Sequence, residues 1–108
     1  MVALGTFKQL ALSFPHIEVL PHFEKISYRL NKKIFATLSE KDRIVCIKLT
    51  EIEQSLFCTF DNTAIYPVNN KWGKQGWTLI VLDKVPEDTL KDALNIAYEH
   101  LVTKHKKQ

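Results

Sequence analysis

Trp72-Gly73-Lys74-Gln75-Gly76-Trp77-Thr78-Leu79-Ile80-Val81-Leu82 decides how the chain is read, because both tryptophans and two of its three glycines precede an unbroken β-rich apolar run. Gly73 and Gly76 can take φ > 0 without a Cβ clash, so the segment can turn sharply before Trp77 opens a strand. Residues 78–82 read as that strand, apolar on both faces and therefore central. Trp72 and Trp77 have two readings: core anchors around a turn, since aromatics bury large areas, or, with Lys71 and Lys74 beside Trp72, contacts to a nucleic-acid backbone or bound anion.

On the C-terminal side of this strand, Asp83-Lys84-Val85-Pro86 leads into the longest helix. Pro86 suits a first helical turn, and Glu87 and Asp88 sit where the helix dipole favours anions. Leu90, Leu94, Ala97 and Leu101 recur at three and four residues, joined by Ala93 and Tyr98, and give the face that should cover a sheet. On the N-terminal side, Thr50-Glu51-Ile52-Glu53 has the form of a capping box. A helix over 51–57 follows, with Ile52, Leu56 and Phe57 expected to face inward. Residues 59–62 read as a loop, and 64–68 as a short edge strand limited by Pro67.

The first half of the chain reads as strands behind one short helix. Leu4, Phe7, Leu10, Ala11 and Phe14 fall at helical spacing, and Pro15 should end that helix. Strands are expected over 17–20, 26–30, 34–38 and 43–49, joined by Asn31-Lys32-Lys33 and Ser39-Glu40-Lys41-Asp42, short enough for antiparallel hairpins. Pro21 cannot donate to a ladder and should close the first of them. The core is expected to gather Trp77, Leu79, Val45, Ile47, Leu94, Ala97 and Leu101.

At 108 residues the chain is one domain, 1–108, with a basic tail over 103–108. Its 45% apolar and 25% charged content is that of an ordinary globular protein. No apolar run approaches a membrane span and no charged-then-apolar leader opens the chain, so a cytoplasmic protein, monomeric and without membrane partner, is expected. Cys46 and Cys58 lack a C-x-x-C spacing, and His16, His22, His100 and His105 lack metal-ligand spacing. No metal, no cofactor and no catalytic residue are therefore expected. Lys104, Lys106 and Lys107 account for the whole formal charge of +3, but residues 25–48 hold seven basic groups against two acidic ones.

Three further pieces accompany the tryptophan-glycine stretch: Phe14-Pro15, Lys33-Ile34-Phe35-Ala36-Thr37-Leu38, and Lys48-Leu49-Thr50. With Asp83-Lys84-Val85 and Ala97-Tyr98, they resemble the signature of MmcQ/YjbR-like proteins over nearly the whole chain. The resemblance implies an α+β fold, a single-domain antiparallel β-sheet covered by N-terminal and C-terminal helices, CyaY-like or secretion-chaperone-like, found in small bacterial proteins. It also implies DNA binding through two projecting hairpins, a double wing. On this chain the basic tips would be Lys32 and Lys33, then Lys41 and Arg43, with Lys71, Trp72 and Lys74 as a third contact. Such contacts reach phosphates and give weak, sequence-independent binding. Gly73-Lys74-Gln75-Gly76 also has the form of the KH-domain G-x-x-G clamp, but that loop joins two helices and this one leads into a strand. The expectation is a non-enzymatic binding protein with DNA as partner; the alternative is a protein-interaction or chaperone-like module using the sheet face or the groove near Trp72.

Overall fold

The computed structural model describes the backbone of residues 1–106 and the side chains of residues 1–103. In chain order the elements are α1 (Leu4–Leu12), β1 (Ile17–His22), β2 (Lys25–Leu30), β3 (Lys33–Ser39), β4 (Ile44–Lys48), α2 (Glu51–Phe60), β5 (Ile65–Pro67), α3 (Lys71–Lys74), β6 (Trp77–Val81) and α4 (Glu87–Lys106). The strands form one sheet in the order β1-β2-β3-β4-β6-β5, with every neighbouring pair antiparallel. The α+β class read from the sequence is the one found. Helix α4 continues through Lys106, so the segment read as a tail from Thr103 is helical to that point, and Lys107 and Gln108 lie outside the described residues.

Turn chemistry fixes the hairpins. Leu30 pairs with Lys33, leaving Asn31 (φ 51) and Lys32 (φ 70) as a two-residue turn with both central residues left-handed, as in type I′ turns. Between β1 and β2 the turn is Phe23-Glu24, with Phe23 at φ 59 and almost wholly exposed. Pro21 does not end β1: it pairs with Ile26 and the strand runs on to His22. An edge strand has a side that needs no donor, so a proline is accommodated there.

Alternation and register sort the sheet into two faces. Tyr28, Ala36, Leu38, Val45, Ile47 and Ile80 lie on the face covered by helices and are buried. Phe7 of α1 meets Tyr28 edge-on at 5.4 Å, and Tyr98 of α4 packs with Phe14 and Phe35, its hydroxyl donating to Pro15 O at 2.8 Å. On β6 this face carries Thr78 and Ile80, and Leu82 follows; Trp77 and Leu79 alternate to the other face and are half-buried, as is Leu101 on α4. The expected core is thus corrected at those three positions and holds at Val45, Ile47, Leu94 and Ala97. The other face runs Leu20, Ser27, Thr37, Cys46, Leu79, Tyr66 across the six strands, a mixed row on the solvent side.

Helix α2 meets expectation at Phe57, which packs partly buried against the core, and departs from it at Ile52 and Leu56. Its capping box forms, with Thr50 Oγ1 accepting from Glu53 N and the Glu53 carboxylate accepting from Thr50 N. But Ile52 and Leu56 are exposed, together with Phe60, while Gln54 is buried. The Gln54 amide donates to Gly73 O, Trp77 O and Thr78 Oγ1 at 3.0 to 3.2 Å, so polar bonds orient this helix. Turning α2 to bury Ile52 and Leu56 would break these bonds, at roughly 0.5 to 1.5 kcal/mol each, although Gly73 O and Trp77 O would keep Gly76 N and Val68 N as donors.

The glycines of the deciding stretch serve close approach. Residues 71–74 form a helical turn rather than a loop, and a Cβ on Gly73 would stand 2.0 Å from Val68 O. Gly76 lies at φ +106, and its Cβ would stand 1.8 Å from Leu49 O. Gly76→Ala should therefore destabilise by several times the ~1 kcal/mol ordinary for a glycine substitution, whereas Gly5→Ala, with open space around it in α1, should stabilise by up to ~1 kcal/mol. Urea midpoints of the two variants check this; similar midpoints for both would contradict the backbone packing described.

Candidate functional site

Antiparallel hairpins alternate ends of a sheet, and this separates the basic tips. The β2–β3 turn, with Lys32 and Lys33, lies at one end; the β3–β4 turn, with Lys41 and Arg43, lies at the other, about 20 Å away along β3. The two do not form one surface. At the far end two of the basic groups are paired: Arg43 Nε donates to Asp83 Oδ1 at 2.7 Å and Lys8 Nζ to Glu40 Oε2 at 2.7 Å.

The first end gathers what the far end lacks. Register brings Lys48 opposite Trp77 there, and Val68 N donates to Trp77 O at 3.0 Å, which carries the chain into α3 at the same end. Lys32, Lys33, Lys48, Lys71 and Lys74 thus share one end of the sheet, and none has an ion pair among the described residues. Trp72 is 49% exposed, which corrects its reading as a core anchor, and Lys71 Nζ lies 6.0 Å from its ring centroid. Asn70 holds α3 in place by accepting from Trp72 N at 2.8 Å. An open groove lined by Glu51, Tyr66, Asn70, Lys71 and Lys74 runs beside it. Of the residues singled out from sequence, Lys32, Lys33, Lys71, Trp72 and Lys74 lie at the same end of the sheet, spread from β3 across to β5, and Lys41 and Arg43 lie at the other. Lys48 was missed as a site residue, since its partnership with Trp77 depends on a register that links residues far apart in the chain.

Other reactive groups here are quiet. Burial pushes the Cys46 thiol up to about 11, against the pull of Lys25 and a bond from the Thr78 backbone, and burial also raises Cys58. Both are protonated at neutral pH and poor nucleophiles. No group of three or more His, Cys, Asp or Glu able to hold a metal occurs among the described residues. Among the described residues no helix is long and apolar enough to cross a membrane.

A family model described as YjbR matches residues 12–100. The chain belongs to the YjbR family. No curated protein matches it in sequence. The crystal structure of a Deinococcus radiodurans protein with a DUF419 domain superposes with a TM-score of 0.79 at 17% identity, covering 91% of this chain and 77% of that one. At that identity the likeness shows the fold, and the fold agrees with the family resemblance read from the tryptophan-glycine stretch.

One titrating contact ties the helices of this YjbR chain together: His100 Nε2 on α4 lies 2.6 Å from Glu53 Oε1 on α2. Partial burial pushes the Glu53 carboxyl up, but its bonds from the Thr50 amide, His100 and the Thr50 hydroxyl outweigh that and hold it below its ordinary value. A carboxylate depressed in the folded state adds stability above its unfolded pKa, and that stability disappears as pH falls through the folded value. Glu53→Gln keeps an oxygen for Thr50 N and removes the titration. Between neutrality and acid below about pH 4, the native protein should lose roughly 0.5 to 1 kcal/mol more than the variant, read from urea midpoints. Equal losses would contradict the assigned role.

Proposed function

We propose that this YjbR chain is a non-enzymatic, cytoplasmic DNA-binding protein that engages phosphates with one end of its sheet, through Lys32, Lys33, Lys48, Lys71 and Lys74, with Trp72 packed against the backbone or an unstacked base. The observation that carries the reading is the distribution of lysines: five at one end with no ion pair among the described residues, against the pairs of Arg43 with Asp83 and Lys8 with Glu40 at the other. The contacts reach phosphate rather than base edges, so binding is weak and indifferent to sequence. Arg43 and Lys41 take no part in it.

Five phosphate contacts give a log-log salt slope of roughly −4 to −5 on duplex DNA. Replacing Lys32 by Gly and Lys33 by Gln should flatten the slope by about 1 to 2 units. The same variant should melt no lower than the parent, because Lys32 occupies a left-handed position at φ 70 that glycine adopts without strain. Fluorescence anisotropy with a labelled duplex over a salt series provides the measurement. The control replaces Lys104, Lys106 and Lys107 by Gln, since a basic terminus can bind DNA without the fold. A control protein with no affinity at low salt removes the sheet end from consideration.

A protein-interaction reading is favoured by a different observation: Ile52, Leu56 and Phe60 form an exposed apolar stripe on α2, 75%, 66% and 55% accessible. If the salt series fails, this stripe is the alternative surface, and Leu56→Lys is the substitution that should then abolish association.

A further inference from the structure

The β3–β4 ladder stops at Ala36↔Ile47, although β3 begins three residues earlier at Lys33. A bulge is the cause: Tyr28 pairs with Ala36 and Arg29 with Ile34, so Phe35 has no partner on β2. Its ring turns to the helices instead, with centroids 5.2 Å from Phe14 and 5.7 Å from Tyr98. Residues 33–35 and 48–50 therefore part, and a cleft of about 440 Å³ opens between them. Phe35, Leu49, Ala97 and Leu101 supply its apolar wall; Trp77, Lys33 and Lys48 stand with them, and His100 and Thr50 complete the lining with Ile34.

We infer that this cleft binds a small amphipathic organic anion: a flat apolar body carrying one carboxylate, sulfonate or phosphate group. The volume is that of small-molecule sites, which are mostly apolar with a few placed polar groups. The charges choose the sign of the ligand. Lys33 and Lys48 are the charged lysines of the lining, and among the described residues no carboxylate lines it. Glu53, which faces the lining residue His100, already accepts from Thr50 N. Lys48 is exposed, and its Nζ lies 5.8 Å from the Trp77 ring centroid, which sets one ammonium beside the aromatic wall. An anionic group entering between Lys33 and Lys48 leaves its apolar body against Phe35, Leu49 and Leu101. A neutral apolar ligand would use the wall and leave both cations without a counter-charge. The inference does not depend on DNA binding, although Lys33 and Lys48 serve both.

Anilinonaphthalene sulfonate and its uncharged analogue phenylnaphthylamine separate charge from apolarity. Fluorescence titration of the folded protein should show one saturable site, with the sulfonate roughly tenfold the tighter ligand, as one charge-assisted contact in a partly enclosed site provides. Amide shifts on adding the sulfonate should centre on Lys48, Leu49, Ala97 and Leu101. Lys33→Gln with Lys48→Gln should erase the preference and leave neutral binding in place. Leu101→Trp, at a half-buried position, should fill the cleft and remove both ligands while DNA affinity persists, so the two readings fail separately. Should Leu101→Trp not fold, the double glutamine variant, confined to exposed lysines, still decides. Equal affinity for the two probes, no saturable binding, or shifts centred on Ile52, Leu56 and Phe60 would overturn the inference.

Discussion

Leu49 and Gly76 meet backbone to backbone, and most of the arrangement at the basic end depends on that contact. Leu49 N donates to Gly76 O at 2.9 Å, while the space a Cβ would need at position 76 is taken by Leu49 O. Only glycine permits both at a φ of +106. The contact fixes where β6 starts relative to the end of β4, and so sets Lys48 beside Trp77. It also draws the α3 turn under α2, within reach of the Gln54 amide, and Gly73 in turn must lie against Val68 O. One close approach therefore positions Lys48, Lys71, Lys74 and both tryptophans.

Because Gln54 takes the inward position on α2, the apolar residues two places to either side, about 200° around the helix, cannot. Ile52 and Leu56 face water for that reason, and not because the helix is loosely attached. A hydrogen-bonded amide facing three acceptors defines one rotational setting of a helix, whereas aliphatic packing on a sheet tolerates several. The exposed stripe is thus the consequence of a polar anchor. The bonds of the Gln54 amide to the α3 turn and β6 set this orientation, since turning the side chain away would break all of them at once.

Much of the fold was legible from local signals. Period-2 runs separated by Asn31-Lys32 and by polar clusters located β2, β3 and β4, and the capping box located the start of α2. The tryptophan-glycine stretch carried the family. What could not be read was which side of each element faces in. Residues 78–82 are apolar on both faces, so alternation alone leaves the choice between Trp77 and Thr78 open; it is made by pairing with Val45 and Ile47. The bulge at Phe35 leaves no local mark either, since every residue from Ile34 to Leu38 suits a strand. The site suffered most from this limit. Lysines were visible as residues, but their division between two ends, and the ion pairs that link Arg43 to Asp83 and Lys8 to Glu40 over long sequence separations, are properties of topology.

That division also sets how much each basic group can contribute. A lysine on an exposed turn, such as Lys32, acts through water and salt, and a pair formed there is worth a fraction of a kcal/mol in physiological salt. Affinity for a polyanion then comes from the number of such contacts and declines steeply as salt is added. Lys48 is in another regime. It rests against Trp77 at the mouth of an apolar cleft, where an approaching anion sheds part of its hydration and the same charge acts over a lower effective dielectric. The two proposed anion contacts thus differ in kind at one end of a single sheet, a diffuse one made by turns and an enclosed one made by a strand that leaves its ladder. They draw on the same sign of charge, but only the enclosed one can discriminate by shape, because only there does an apolar wall lie within contact distance of the ligand that the cation attracts.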